Sequence, residues 1–342
     1  MPDKYNVAIV GGVTGAVGET ALALLAERDF PVATVYALDG AEHAGGRVEF
    51  REGYVRIQDV AGFDFSQAQI GLFCVGEALA ALHVPQAATA GCIVIDDSAQ
   101  FRYEQDVPLV VPEVNAPAIA EYVKRGIIAN PNTCVTSLLV ALKAIIDAVG
   151  VKRINVATYQ AVSGIDKKGV DELAGQAAAL FNMKGITSKV FSKQIAFNVL
   201  PVIGELLDNG YTREEMKMLW EVRKILGDDS VRVNATCVRV PVFYGHSQAV
   251  HVETRDKITA VAARRLLQKA PGVTVLDGGK AGAYPTAVTE AVGKDAVYVG
   301  RLREDISCAN GLDLWVVADN LRKGAALNSI QIAEILVKEY LS

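Results

Sequence analysis

Gly12-Val13-Thr14-Gly15-Ala16-Val17-Gly18 lies between an apolar run and a helical pattern inside the first twenty residues, and it constrains the fold more than any other segment. Glycines spaced this way let a backbone approach a pyrophosphate. The phosphate charge then meets the free N–H groups and positive dipole end of the helix that follows. Such a turn belongs to a strand-helix-strand unit, and the first third of the chain alternates accordingly. Apolar runs at 7–12, 34–38, 70–75 and 92–96 are interleaved with helical patterns at 15–28 and up to about 91. The alternation predicts an α/β unit with a Rossmann-type parallel sheet over residues 1–130, covered on both faces. From residue 154 the strands lengthen, at 153–162, 231–242 and 249–253, with helices between them. This texture predicts a C-terminal α+β domain over 131–320 with a mainly antiparallel sheet. An amphipathic helix within 321–342, after a strand at 312–318, is placed to complete the first domain.

At 342 residues and 51% hydrophobic, the chain can bury more core than one compact unit of this length usually holds, which supports two domains. A net charge of −5 gives no electrostatic footprint for nucleic acid or an anionic membrane, so small-molecule substrates are expected. The amino terminus has no signal-peptide order, and no apolar stretch reaches the roughly 18 residues of a membrane span, so a cytoplasmic location is expected. Cys74, Cys92, Cys134, Cys237 and Cys308 are odd in number, far apart and without a nearby histidine in sequence. No disulfide framework and no metal site is expected.

Individual residues sharpen the picture. At the end of the second predicted strand, Asp39 and Glu42 can accept from a ribose 2′-hydroxyl, whereas a 2′-phosphate wants Arg or Lys. Both therefore argue for NAD over NADP, unless they simply face solvent. Cys134 begins a predicted helix, where the dipole lowers a thiol pKa, and the turn Asn130-Pro131-Asn132 is expected to expose it. Cys74, Cys92 and Cys237 lie in apolar strands and read as structural. His246, in a turn between two strands, suits acid/base work. His43, His83 and His251 read as surface residues. Arg239, alone in the apolar strand CVRVPV, needs a carboxylate partner from the protein or a substrate. Glu221 and Lys224 share a helical face, which taken alone is only a solvated pair.

Longer segments carry a resemblance. GVTGAVG at 12–18, FRYEQDVPLVVPEVN at 101–115, IANPN at 128–132, TYQAVSG at 158–164, GYTREEMKM at 210–218, EVRKILGDDS at 221–230, TCVRVPVFYGHS at 236–247 and DNLRKGAALN at 319–328 are similar to aspartate-β-semialdehyde dehydrogenases, essentially end to end. N-acetyl-γ-glutamyl-phosphate reductases share the general plan but fit 239–247 and 319–328 less well. The resemblance implies a homodimer of two-domain subunits and the NADPH-dependent reductive dephosphorylation of β-aspartyl phosphate through a cysteine acyl-thioester. It implies Cys134 as nucleophile, His246 as acid/base and Gln160 as the substrate-orienting amide. Arg239 binds the substrate carboxylate, Arg102 and Lys224 the phosphate, and Asn132 and Glu221 complete the substrate shell. The dinucleotide falls to Gly12, Thr14, Gly15, Ala16, Val17, Gly18, Asp39, Glu42, Ser163, Gly164 and Asn320.

The chain also departs from the family pattern, and the departures cluster. Pro-Asn-Cys becomes Pro131-Asn132-Thr133-Cys134. Aligned without a gap, Thr133 occupies the nucleophile's place; with one inserted residue, Cys134 does. A one-residue slip on a helix rotates a side chain by about 100°. Ser-Ala-Arg-Ser becomes Asp39-Gly40-Ala41-Glu42, Gly-Gly becomes Gly76-Glu77, and Ser-Gly-Ala-Gly becomes Ser163-Gly164-Ile165-Asp166. Each change places an acid or added bulk where anionic phosphates are expected, so a shift from NADPH toward NADH follows. The second reading is a paralogue without dehydrogenase activity, performing non-redox acyl or thioester chemistry or only binding a ligand.

Overall fold

The computed structural model of the chain describes residues 4–278 and 280–341. It divides into two compact units, residues 1–131 with 325–342, and residues 132–324. The first unit carries strands β1 (Tyr5–Val10), β2 (Val32–Asp39), β3 (Arg47–Phe50), β4 (Gly53–Asp59), β5 (Ile70–Phe73), β6 (Ile93–Asp96) and β7 (Ile127–Ala129). They form one sheet in the order β3-β4-β2-β1-β5-β6-β7. Helix α1 (Ala16–Glu27) follows β1, α2 (Glu77–Thr89) follows β5, and the short α3 (Pro112–Asn115) precedes β7. All neighbouring strands run parallel except the β3/β4 hairpin. The near-continuous apolar strands 7–10 and 70–73 are what a sheet covered on both faces requires.

The second unit contains, in chain order, α4 (Thr133–Val149), β8 (Val151–Gln160), α5 (Asp166–Phe181), α6 (Arg213–Leu226), β9 (Arg232–Arg239), β10 (His246–Thr254), α7 (Ala260–Leu267), β11 (Val273–Val275), β12 (Val297–Glu304) and β13 (Gly311–Ala318). Its sheet runs β11-β12-β13-β10-β8-β9. The three central pairings are antiparallel, as expected, while β8/β9 and β11/β12 at the margins are parallel. α5 and α6 lie between β8 and β9, the usual route to parallel neighbours, and a short helical segment, Ala287–Ala291, lies between β11 and β12. The last helix, α8 (Leu327–Glu339), belongs to the first unit. Its Ile330, Ile332 and Leu336 share a core with Ile9, Leu24, Leu25 and Leu72.

Local chemistry sets the element ends. Thr212 and Glu215 close a capping box at the start of α6, and Gly227 ends that helix in the left-handed conformation. Helix α4 starts on Asn132, whose side-chain oxygen accepts from the amides of Cys134 and Val135. The helix then lies on the sheet, with the buried Gln248 of β10 donating to the Cys134 carbonyl and the Ser137 hydroxyl at 2.9 and 2.8 Å.

Candidate active site

Strand ends converge at one edge of the second unit's sheet. Gln160 and Arg239 are the last residues of β8 and β9 and sit opposite each other in register. His246 opens β10 opposite Ala318, the last residue of β13, and the next residue, Ser247, pairs with Tyr159. Because β10 runs against β8 and β13, its first residue arrives where theirs end. The N-terminus of α4 meets the same edge. Gln160, Arg239 and His246 are all buried.

The hydrogen bonds are specific. Arg239 Nη1 donates to the Ala161 carbonyl at 2.7 Å, and the Ala161 amide donates to His246 Nδ1 at 3.1 Å. The α6 carboxylates close the group from one side. Glu221 Oε2 accepts from the Asn132 amide at 2.6 Å, and Glu214 Oε1 accepts from Asn132 Nδ2 at 2.8 Å and Gln160 Nε2 at 3.2 Å. Lys224, one turn beyond Glu221, is half-buried. Asn320 receives the Gly245 amide at 2.8 Å and pairs with Ser163, fixing the two loops that flank His246. At Gly164 an added Cβ would stand 2.7 Å from Arg239 Nη1 and 3.5 Å from His246 Nε2, so the absence of a side chain there leaves room for both groups.

Cys134 departs from its sequence-based expectation in two respects. It is fully buried rather than exposed, and its thiol is pushed well above the usual cysteine range rather than below it. Burial is the largest cause, reinforced by the Cys237 thiol and by Glu214 and Glu221, with Arg239 opposing. The helix dipole loses because desolvation of a thiolate outweighs a fraction of a charge, and because the Cys134 amide already donates to Asn132. The Cys134 thiol is thus within the electrostatic reach of Glu214, Glu221 and Arg239. Thr133, by contrast, donates to the Gly324 carbonyl at 3.3 Å and packs on Gly324.

Burial and then Arg239 push His246 down to about 3. The folded value lies below the unfolded one, so between about 6.5 and about 3 the unfolded chain binds the proton first, and stability falls as pH drops through that window. The His246 ring is expected to show no inflection between pH 5 and 8 when titrated by NMR; an inflection near 6.5 would contradict the burial.

In the first unit, Gly11 and Gly12 adopt positive φ, and an added Cβ at Gly18 would come 2.2 Å from the Gly12 carbonyl. Gly15 caps α1 without a side chain, and Gly15, Ala16 and Val17 form the turn into the helix with Thr14 before them. This is a cradle that a pyrophosphate fits and side chains would fill. Asp39 ends β2 and accepts from the Gly40 amide, while the exposed Glu42 carboxylate folds over Gly40. Glu77 is the first residue of α2 and exposed. Asp166, in the second unit, adopts φ 62° and ψ −168°, a conformation that glycine favours, at the place where the family pattern has glycine. Arg102 is buried and donates to the Asp97 carbonyl at 2.8 Å.

Some residues fall elsewhere than the sequence suggests. His83 is buried in α2 with Gln86 as its neighbour, not at the surface. Cys308 has no histidine near in sequence, yet the fold brings it beside His251 and Asp305. The imidazole there lies between Asp305 and Asp313, and Arg303 pairs with Asp313. Glu214 is the residue of the site that sequence reasoning missed. Its only signal is its place seven residues before Glu221, two helical turns earlier on the same face of α6.

Comparison with known proteins agrees with this layout. The semialdehyde dehydrogenase NAD-binding domain family matches residues 6–122, and the semialdehyde dehydrogenase dimerisation domain family matches residues 142–323. The fold is thus that of a semialdehyde dehydrogenase, its first unit matching the NAD-binding domain family and its second the dimerisation domain family. Aspartate-semialdehyde dehydrogenase of Shewanella violacea is 54% identical over 99% of this chain and 100% of its own, and that of Legionella pneumophila is 55% identical over 100% and 98%. Aspartate semialdehyde dehydrogenase II of Vibrio cholerae, crystallised in complex with ASA, superposes with a TM-score of 0.97 at 54% identity, covering 99% of each chain. The chain belongs to the aspartate-semialdehyde dehydrogenase family. Among the described residues no helix is long and apolar enough to cross a membrane.

Proposed function

We propose that the chain converts β-aspartyl phosphate to aspartate β-semialdehyde, with phosphate leaving and a reduced nicotinamide dinucleotide as hydride source. The observation that carries this reading is the meeting of Gln160, Arg239 and His246 at one sheet edge, with the start of α4, where Cys134 lies, tied to Gln160 through Asn132 and their shared Glu214 oxygen. Arg239 offers a fork for the substrate's α-carboxylate, and Glu221 an acceptor for its ammonium. Lys224 takes the phosphate, Gln160 orients the acyl group, and Asn132 holds the loop before the nucleophile. The Cys134 sulfur bonds to the acyl carbon as the phosphate bond breaks, leaving an acyl-thioester. Gly12–Gly18 would hold the dinucleotide, which when bound would supply the hydride for the reduction. Cleavage of the carbon–sulfur bond then releases the aldehyde.

His246 takes and returns the proton. Kept neutral by burial and Arg239, it rests as a base. A substrate carboxylate pairing with Arg239 removes that repulsion and lets the ring accept the thiol proton.

The acids at Asp39 and Glu42 support NADH in place of NADPH, and Ser163, Gly164 and Asn320 complete the family's cofactor set. Aspartate semialdehyde, phosphate and either NAD or NADP are to be mixed with the protein and followed at the absorbance of the reduced nucleotide. NAD should be used at least tenfold better in kcat/KM, and Glu42→Arg should raise kcat/KM with NADP at least tenfold. Absence of signal with both nucleotides would favour the paralogue reading, which the named relatives do not. A homodimer through the second unit is proposed on the dimerisation-domain match; a sedimentation mass of one chain would refute it. The free thiols fit the reducing cytoplasm expected from the sequence.

A further inference from the structure

Glu214 stands at the second position of α6, with its side chain largely buried, and its Oε1 receives two amides: Asn132 Nδ2 at 2.8 Å and Gln160 Nε2 at 3.2 Å. A carboxylate only accepts, so it dictates which end of each amide faces it. For Asn132 the consequence is direct. With Nδ2 committed to Glu214, Oδ1 is left to cap α4 by accepting from the Cys134 and Val135 amides at 2.9 and 3.4 Å. For Gln160, whose Nε2 also reaches Thr158 Oγ1 at 3.3 Å, the amide oxygen is turned away from the carboxylate. One oxygen therefore sets both the residue before the nucleophile's turn and the amide assigned to the acyl group.

We propose that Glu214 is a positioning residue that aligns Asn132 and Gln160 around Cys134. The proposal rests on the function proposed above. After burial and Cys237, Glu214 is the carboxylate that acts most strongly on Cys134, adding a negative field that favours the resting thiol; it also acts on Cys237 and Arg239, and its other oxygen pairs with Lys217 at 3.6 Å. A substrate ammonium drawn toward the Glu214 and Glu221 carboxylates would relieve this negative field, so thiolate forms when substrate is present. An idle buried thiolate, open to oxidation, is avoided.

Two variants separate alignment from charge. Glu214→Gln retains an acceptor oxygen for both amides and removes the charge; Glu214→Ala removes both. The readouts are steady-state kinetics and the pH dependence of Cys134 alkylation by iodoacetamide, followed by peptide mass so that other thiols do not contribute. Both variants should lower the alkylation midpoint by about one pH unit. Alanine should lower kcat about 30-fold, and glutamine should restore most of that loss. A side chain serving only as packing would leave the midpoint where it is in both. An unmoved midpoint in Glu214→Gln, or an alanine variant within twofold of wild-type kcat, overturns the proposal; if alanine prevents folding, the glutamine midpoint decides alone. Wild-type protein without turnover would instead strike the proposed function, because alkylation needs no substrate.

Discussion

Cys134→Ser is expected to lower turnover by about 10⁴-fold or more, whereas Thr133→Ala is expected to stay within about threefold of wild type. The contrast follows from where the two side chains point. Thr133, the first residue of α4, spends its hydroxyl on the Gly324 carbonyl and its methyl on Gly324. The next residue, Cys134, lies about 100° round the helix, fully buried and within the electrostatic reach of Arg239, Glu214 and Glu221. Serine keeps the size but is a far weaker nucleophile, and His246, pushed down to about 3, is too weak a base to offset the difference. Single-turnover mixing with aspartate semialdehyde and oxidised nucleotide, followed by intact mass, should trap an acyl adduct on wild type and none on the serine variant. Comparable losses in the two variants would return the nucleophile's position to residue 133. Because the resting thiol is pushed up rather than down, unliganded Cys134 should react with alkylating agents more slowly than free cysteine.

The parts of the molecule legible in the sequence are those whose signal is local. The turn at 12–18 declares itself because Gly12 and Gly18 must approach each other's backbones, and apolar runs such as 70–73 must be buried on both faces. The hairpin β3/β4 leaves no such signal because its strands are short and half exposed, with Arg51-Glu52 rather than a strong turn pair between them. The site was legible as a set of residue types and not as an arrangement. Nothing near Gln160 in sequence tells that it lies opposite Arg239, since the pairing depends on a parallel crossover through α5 and α6. Burial was misjudged for the same reason. The helix start at Cys134 suggested a depressed thiol, but the desolvation that outweighs the dipole comes from β9, α6 and the strand ends, all remote in sequence. His83 on α2 shows the error in milder form, because a weakly amphipathic helix does not reveal which face is covered.

Arg239→Lys should raise KM for aspartate semialdehyde about 100-fold while leaving the fold intact. The guanidinium is buried at the end of β9, its own pKa lowered by burial, and one arm, Nη1, is committed to the Ala161 carbonyl at 2.7 Å. That bond fixes the plane of the fork, so the remaining donors face a ligand with little rotational freedom left to lose. A lysine ammonium keeps the charge but cannot hold Ala161 and a bidentate carboxylate at once. Loss of one charge-assisted hydrogen bond in a desolvated site costs about 1.5–3 kcal/mol, a factor of roughly 10 to 150. Position adds a second effect with its own signature. The Ala161 amide donates to His246 Nδ1, so a shift of this backbone also shifts the acid/base ring. The lysine variant should therefore lose kcat as well, by about tenfold, and guanidinium added in solution should recover more of the KM than of the kcat. Equal KM values for Arg239→Lys and wild type would move the carboxylate to another cation, and a pure kcat loss would make Arg239 a scaffold for His246 alone.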